Sequence, residues 1–142
     1  MINADIKDCI GTVLKKVLLE YFYMNNECIS IVRLYVQLDS YFDITCCEEN
    51  VFIREQKESP IKTVSGEFNY IPIEQNIKWI SQYKVFSIKY LIDSLNIKRG
   101  ILFIFDSGHN FVYYNTGYEM GDNNVFDIDI NLKLLSYSLR DI

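Results

Sequence analysis

GILFIFDSGHNFVYYN, residues 100–115, is the stretch from which the fold is read. Ile101, Leu102, Phe103, Ile104 and Phe105 are β-formers, and so are Phe111, Val112, Tyr113 and Tyr114. Branched and aromatic side chains suit a pleated, half-buried surface. Between the two runs lies a polar segment, Asp106, Ser107, Gly108, His109 and Asn110. Its Gly, Asp and Asn tolerate the positive φ of a tight reversal, so the stretch reads as a β-hairpin. The first run is apolar at every position. It is therefore expected to be a central strand covered on both faces, because a strand with one wet face alternates.

Upstream of the hairpin, Ile6, Ile10, Val13, Leu14, Val17, Leu18 and Tyr21 recur at helical spacing. That periodicity predicts an amphipathic helix over residues 4–25, with Asp5 and Asp8 at the favourable end of its dipole. Residues 28–39 alternate and predict a strand. Residues 41–46 and 51–55 predict two shorter strands joined by a polar turn. Residues 56–66, with Pro60 and Gly66 as breakers, read as an inserted or mobile loop. Residues 73–82 and 84–96 are expected to form one kinked helix or two consecutive ones. Pro72 sits near the start, Val85, Ile88, Leu91, Ile92 and Leu95 make the stripe, and Lys98–Arg99–Gly100 is the stop.

Beyond the hairpin come a loop over 116–124 and a strand over 125–133. Phe126, Ile128, Ile130 and Leu132 lie on one side of that strand and Asp127, Asp129, Asn131 and Lys133 on the other. Residues 134–140 extend this strand or form a short terminal helix. The whole order predicts the α+β class: a single domain over residues 1–142. In it a largely antiparallel sheet packs on an N-terminal helix and a central helix or helix pair.

Bulk composition narrows the function. A chain that is 49% hydrophobic and 15% aromatic is not a disordered tail. The formal net charge is −5, whereas nucleic-acid binders carry a basic patch that displaces counterions from phosphate. Residues 1–100 hold 13 acidic and 12 basic side chains, and residues 101–142 hold 6 and 2, so the charge is concentrated at the end of the chain. Asp5, Lys7 and Asp8 interrupt the opening where a secretory signal needs an apolar core. No apolar run approaches the ~18–20 residues of a membrane-spanning helix. A cytoplasmic protein with reduced, mostly buried cysteines is expected.

The run Asp127-Ile128-Asp129-Ile130-Asn131 looks like the start of a calcium loop, but Leu132 and Ser138 stand where such a loop needs Gly and a carboxylate. One histidine and unclustered cysteines make no metal set, and the glycines make no phosphate cradle, so no metal and no cofactor is expected. Cys46 or Cys47 with His109 and Asp106 supplies the residue types of a Cys–His–Asp triad. No motif surrounds either thiol, and no catalytic residue is assigned. What remains is an acidic, tyrosine-bearing set: Asp106, Tyr113, Tyr118, Glu119, Asp122, Asp127 and Asp129. Tyrosine gives large contact area at low entropic cost, and acids speed encounter with basic partners. The set reads equally as a partner-binding patch and as an ordinary acidic surface over a tyrosine-rich core.

Twenty Ile, twelve Asn and eleven Tyr against one Ala and two Pro indicate AT-rich coding. In size, acidity, cytoplasmic character, coding bias and lack of a catalytic motif, the whole chain resembles bacterial immunity proteins. These are the proteins paired with contact-dependent growth inhibition and other polymorphic toxins. The resemblance implies a non-enzymatic inhibitor that neutralises a cognate, basic protein toxin in a tight stoichiometric complex, with the acidic set meeting its Lys or Arg. A phage or mobile-element inhibitor of a host protein shares these features. An enzyme using Cys46 or Cys47 is the third class.

Overall fold

The computed structural model describes residues 5–47, 49–117 and 123–142. Eleven strands dominate these residues: β1 (Lys16–Met24), β2 (Glu27–Gln37), β3 (Tyr41–Cys46), β4 (Val51–Gln56), β5 (Thr63–Ser65), β6 (Phe68–Glu74), β7 (Val85–Ile92), β8 (Lys98–Phe105), β9 (Asn110–Asn115), β10 (Asn124–Ile128) and β11 (Ser138–Asp141). The only helical pieces described are 3₁₀ turns at Ile6–Cys9 and Leu132–Leu134. The expected α+β class is therefore corrected to all-β: among the described residues there is no helix of seven residues or more, and neither the N-terminal helix nor the central helix pair exists.

Every strand pair is antiparallel. Six strands form one sheet in the order β4-β3-β2-β1-β6-β5, and five form the other in the order β10-β9-β8-β7-β11. The expected hairpin is β8–β9, paired Gly100 to Tyr114 through Ile104 to Asn110. β8 is the middle strand of its sheet. Its Ile101, Phe103 and Phe105 enter a cluster shared with Leu19, Leu34, Phe42 and Ile44 of the six-stranded sheet. Leu102 lies on the opposite face with Leu91 and Val112, where Ile130, Leu132, Leu135 and Tyr137 cover it.

Each misread segment has a physical cause. In residues 16–24 the core face is Val17, Leu19 and Tyr21, an alternation that coexists with helical spacing in so apolar a run. Branched and aromatic side chains favour the strand. Gly11, with φ +86°, breaks any helix before it. In β7 a bulge leaves Phe86 without a partner, since Val85 pairs with Phe105 and Ser87 with Ile104. The extra residue places Val85 and Ile88, three apart, on the same inward face, and so counterfeits a helical stripe. Leu95, the last residue of that stripe, is exposed. The expected strand over 125–133 stops at Ile128 because Asp129 adopts φ +51°.

Residues 57–62 are a strap. They join β4 and β5, which lie at opposite edges of the six-stranded sheet. The connection bends at Lys57 and Glu58 and crosses the outer face over Glu20, Arg33 and Tyr35, and Pro60 favours extended backbone at Ser59.

Gly100 of β8 faces Tyr114 of β9 across the ladder. A Cβ there would collide with Tyr114 Cβ and with the Tyr113 carbonyl oxygen. Gly100→Ala is expected to cost about 3 kcal/mol, read as a lowered midpoint in urea unfolding.

Candidate functional site

Three chain reversals meet at one end of the five-stranded sheet: the turn before β7, the β8–β9 turn, and the chain leaving β10. Trp79 stacks flat on His109, with ring centroids 4.6 Å apart and planes 10° apart. Tyr83 approaches the same imidazole at 5.6 Å, and Phe105 supports the indole edge-on at 4.9 Å. His109 Nδ1 lies 2.9 Å from Asp129 Oδ1, which favours the tautomer protonated at Nδ1. Trp79 Nε1 donates to Asp129 Oδ2 at 3.2 Å, and the Asn110 amide donates to Oδ1 at 3.3 Å.

Asn110 holds Asp129 in place. The Asp129 amide donates to the Asn110 carbonyl at 2.8 Å. The buried Asn110 side chain accepts from the Ile130 amide at 3.0 Å and donates to the Ile130 carbonyl at 3.1 Å. This pairing fixes the left-handed backbone of Asp129, a conformation that Asp tolerates better than most residues. The outcome is a preorganised, half-exposed platform of Trp79, His109 and Tyr83 backed by a carboxylate.

Two members of the expected acidic set stand at this end. Asp129 is in the platform, and exposed Asp106 occupies the β8–β9 turn, its amide bonded to the Lys84 carbonyl at 2.9 Å. Asp127 is exposed two residues away, on the outer face, beside a pocket of about 320 Å³ lined by Val112, Tyr114 and Leu135. Lys78 and Lys84 on the adjoining turn partly offset these three acids. Tyr113 is elsewhere: it is 0% exposed inside the sandwich, and burial pushes its phenol well above the usual range. Tyr118, Glu119 and Asp122 lie outside the described residues.

The thiols are not brought to His109. Cys46 Sγ sits 3.7 Å from the Tyr113 carbonyl, and Cys47 Sγ sits 3.4 Å from that of Asn50. Burial, with Cys47 beside it, raises the Cys46 thiol far above its ordinary range. Burial, then Asp8 and Asp5, pushes Cys9 up to about 12. Among the described residues, no three His, Cys, Asp or Glu side chains converge as a metal-ligand set. No described helix is long and apolar enough to cross a membrane.

A second polar feature went unread in the sequence. On the outer face of the six-stranded sheet, Glu20 of β1, Arg33 of β2, Asp43 of β3 and Arg54 of β4 form a ladder of alternating sign. Arg33 reaches Glu20 at 3.3 Å and Asp43 at 3.8 Å, and Arg54 reaches Asp43 at 2.6 Å. Tyr35 Oη donates to the other Glu20 oxygen at 3.1 Å. Glu20 is 6% exposed and Asp43 4%. Such burial is tolerable only because each carboxylate is paired and hydrogen-bonded. The strap roofs a cleft of about 440 Å³ over Glu20, Arg33 and Tyr35. The signal was present: β1, β2 and β3 each carry one charge among apolar neighbours, and β4 carries Arg54 followed by Glu55.

Comparison with known proteins adds no relative: no family model matches the chain, and no curated protein and no solved structure matches it significantly.

Two expectations follow. Trp79 is the single tryptophan, so its emission reports the platform alone. Asp129→Ala should shift that emission to the red and lower stability by about 1 kcal/mol, while Asp129→Asn, which retains an acceptor for the indole N–H, should shift it less. In the folded protein a thiol reagent at neutral pH should modify exposed Cys28 first, and should reach Cys9 and Cys46 only on unfolding.

Proposed function

We propose that this chain works by stoichiometric protein binding, as a cytoplasmic immunity protein that neutralises a basic toxin. The observation that supports this reading best is the Trp79–His109–Tyr83 platform, backed by Asp129, with Asp106 in the β8–β9 turn and Asp127 two residues from Asp129 on the outer face. Rigid aromatic anchors surrounded by charge are the usual composition of an interface hot spot, because they bury large area while losing little side-chain entropy. The acids favour a partner rich in Lys and Arg and speed the encounter. The net charge of −5 acts in the same direction over longer range.

A cysteine enzyme finds less support. Its thiol would have to ionise near neutrality, whereas Cys46 is buried and raised, and the described contacts of His109 are aromatic rings and Asp129. In the binding reading, His109 and Asp129 set the shape of a surface and no bond is made or broken there.

The test is a pull-down with tagged protein from its native cells, washed at low and high salt and read by mass spectrometry. One basic partner is expected at equimolar yield after the high-salt wash. Asp127→Lys with Asp129→Lys should weaken its capture at least tenfold, a change of about 1.4 kcal/mol. Capture unchanged by the double reversal would remove the platform from the interface. Recovery of no partner at either salt would overturn the inhibitor reading.

A further inference from the structure

Beside Ile53 and Glu55 of β4 an opening lies between the two sheets, although β4 also approaches β8 of the other sheet. β4 pairs only with β3, so one of its backbone edges carries no neighbouring strand. Facing it across the opening are Tyr90 of β7 and Ile142, whose amide continues the pairing onto β7 at Ile88. The Ile6–Cys9 turn stands at one end. Two cavities of about 530 and 470 Å³ adjoin here, sharing Phe42 and Glu55. Together they make a groove.

Its chemistry is divided. The floor is apolar, from Phe42, Ile53 and Tyr90. The rim carries Asp5, Asp8, Asp39 and Glu55 against Lys7 and Lys57. Local bonds use only part of the acidic capacity. Asp5 and Asp8 cap the 3₁₀ turn through one oxygen each, and Glu55 Oε2 accepts from Ser40 at 3.0 Å. Asp39, fully exposed, meets Lys15 at 3.5 Å.

We propose that this groove docks an extended, lysine- or arginine-rich segment of a partner protein, which adds to β4 as a further strand. Three features select that occupant. A free strand edge recognises extended backbone through main-chain hydrogen bonds. The alternation of an added strand would send every second side chain onto Phe42, Ile53 and Tyr90 and the others towards the rim. The acidic excess on the rim then selects cations at those outward positions. Arg54 and Glu55 on β4 also discourage indiscriminate edge pairing, so the edge accepts only a strand of complementary charge. None of these residues belongs to the Trp79 platform, and the inference stands whether or not that platform binds.

The probe is a fluorescent peptide alternating lysine and valine, with a glutamate-for-lysine peptide as control. Binding is followed by anisotropy at low and high salt, and amide exchange of β4 is measured with and without the probe. The lysine peptide should bind at low salt, weaken with salt, and slow exchange at the outward-facing amides of β4. The glutamate peptide should not bind. Asp39→Lys with Glu55→Lys should weaken binding by about tenfold, and Asp127→Lys should leave it unchanged. If the double variant fails to fold, protection of the β4 amides in the unaltered protein decides. Absence of binding at low salt, equal binding of both peptides, or binding without β4 protection would each overturn the proposal.

Discussion

The structure depends on burying β8 on both faces. Ile101, Phe103 and Phe105 fill the space between the sheets, while Leu102 is covered from outside by the chain running back across it. A strand so placed has no polar face to give to water, and removing its apolar area from solvent drives the two sheets together. The ends of the same strand then position everything else. Its C-terminal turn carries His109 to Trp79, and near its start Gly100 leaves room for Tyr113 and Tyr114 of the neighbouring β9.

That strand was legible because its apolar residues are consecutive and its boundaries are marked by turn chemistry. The helices were not, because an apolar run satisfies two periodicities at once. In β1 the deciding sign was at its end: Asn25 and Asn26 both take positive φ, at 50° and 65°, in a two-residue turn between Met24 and Glu27. Adjacent asparagines suit a type I′ hairpin. In β7 no local sign existed, because the Phe86 bulge is a property of its pairing with β8.

The candidate site was legible only in part. Asp106, Asp127 and Asp129 follow from local charge, but Trp79 and Tyr83 arrive from the far side of β7 and β8, and sequence spacing carries no record of that contact. Tyr113 shows the converse. Aromatic residues in a β-rich chain go to the core or the surface according to strand parity, and Tyr113 shares its parity with Ile101, its partner across the ladder. The charged ladder obeys the same rule: Glu20, Arg33, Asp43 and Arg54 occupy the outward positions of neighbouring strands, where alternate signs satisfy one another.

The strap links the two edges of one sheet. Residues 57–62 join β4 to β5, so two strands with no hydrogen bond between them are tied to one another across the outer face. A longer tether would add only a small entropic cost. The pairing that takes any pull from it is that of β5 on β6, a contact of three residue pairs. The cleft over Glu20 and Arg33 thus keeps a roof that is anchored at both edges of the sheet beneath it.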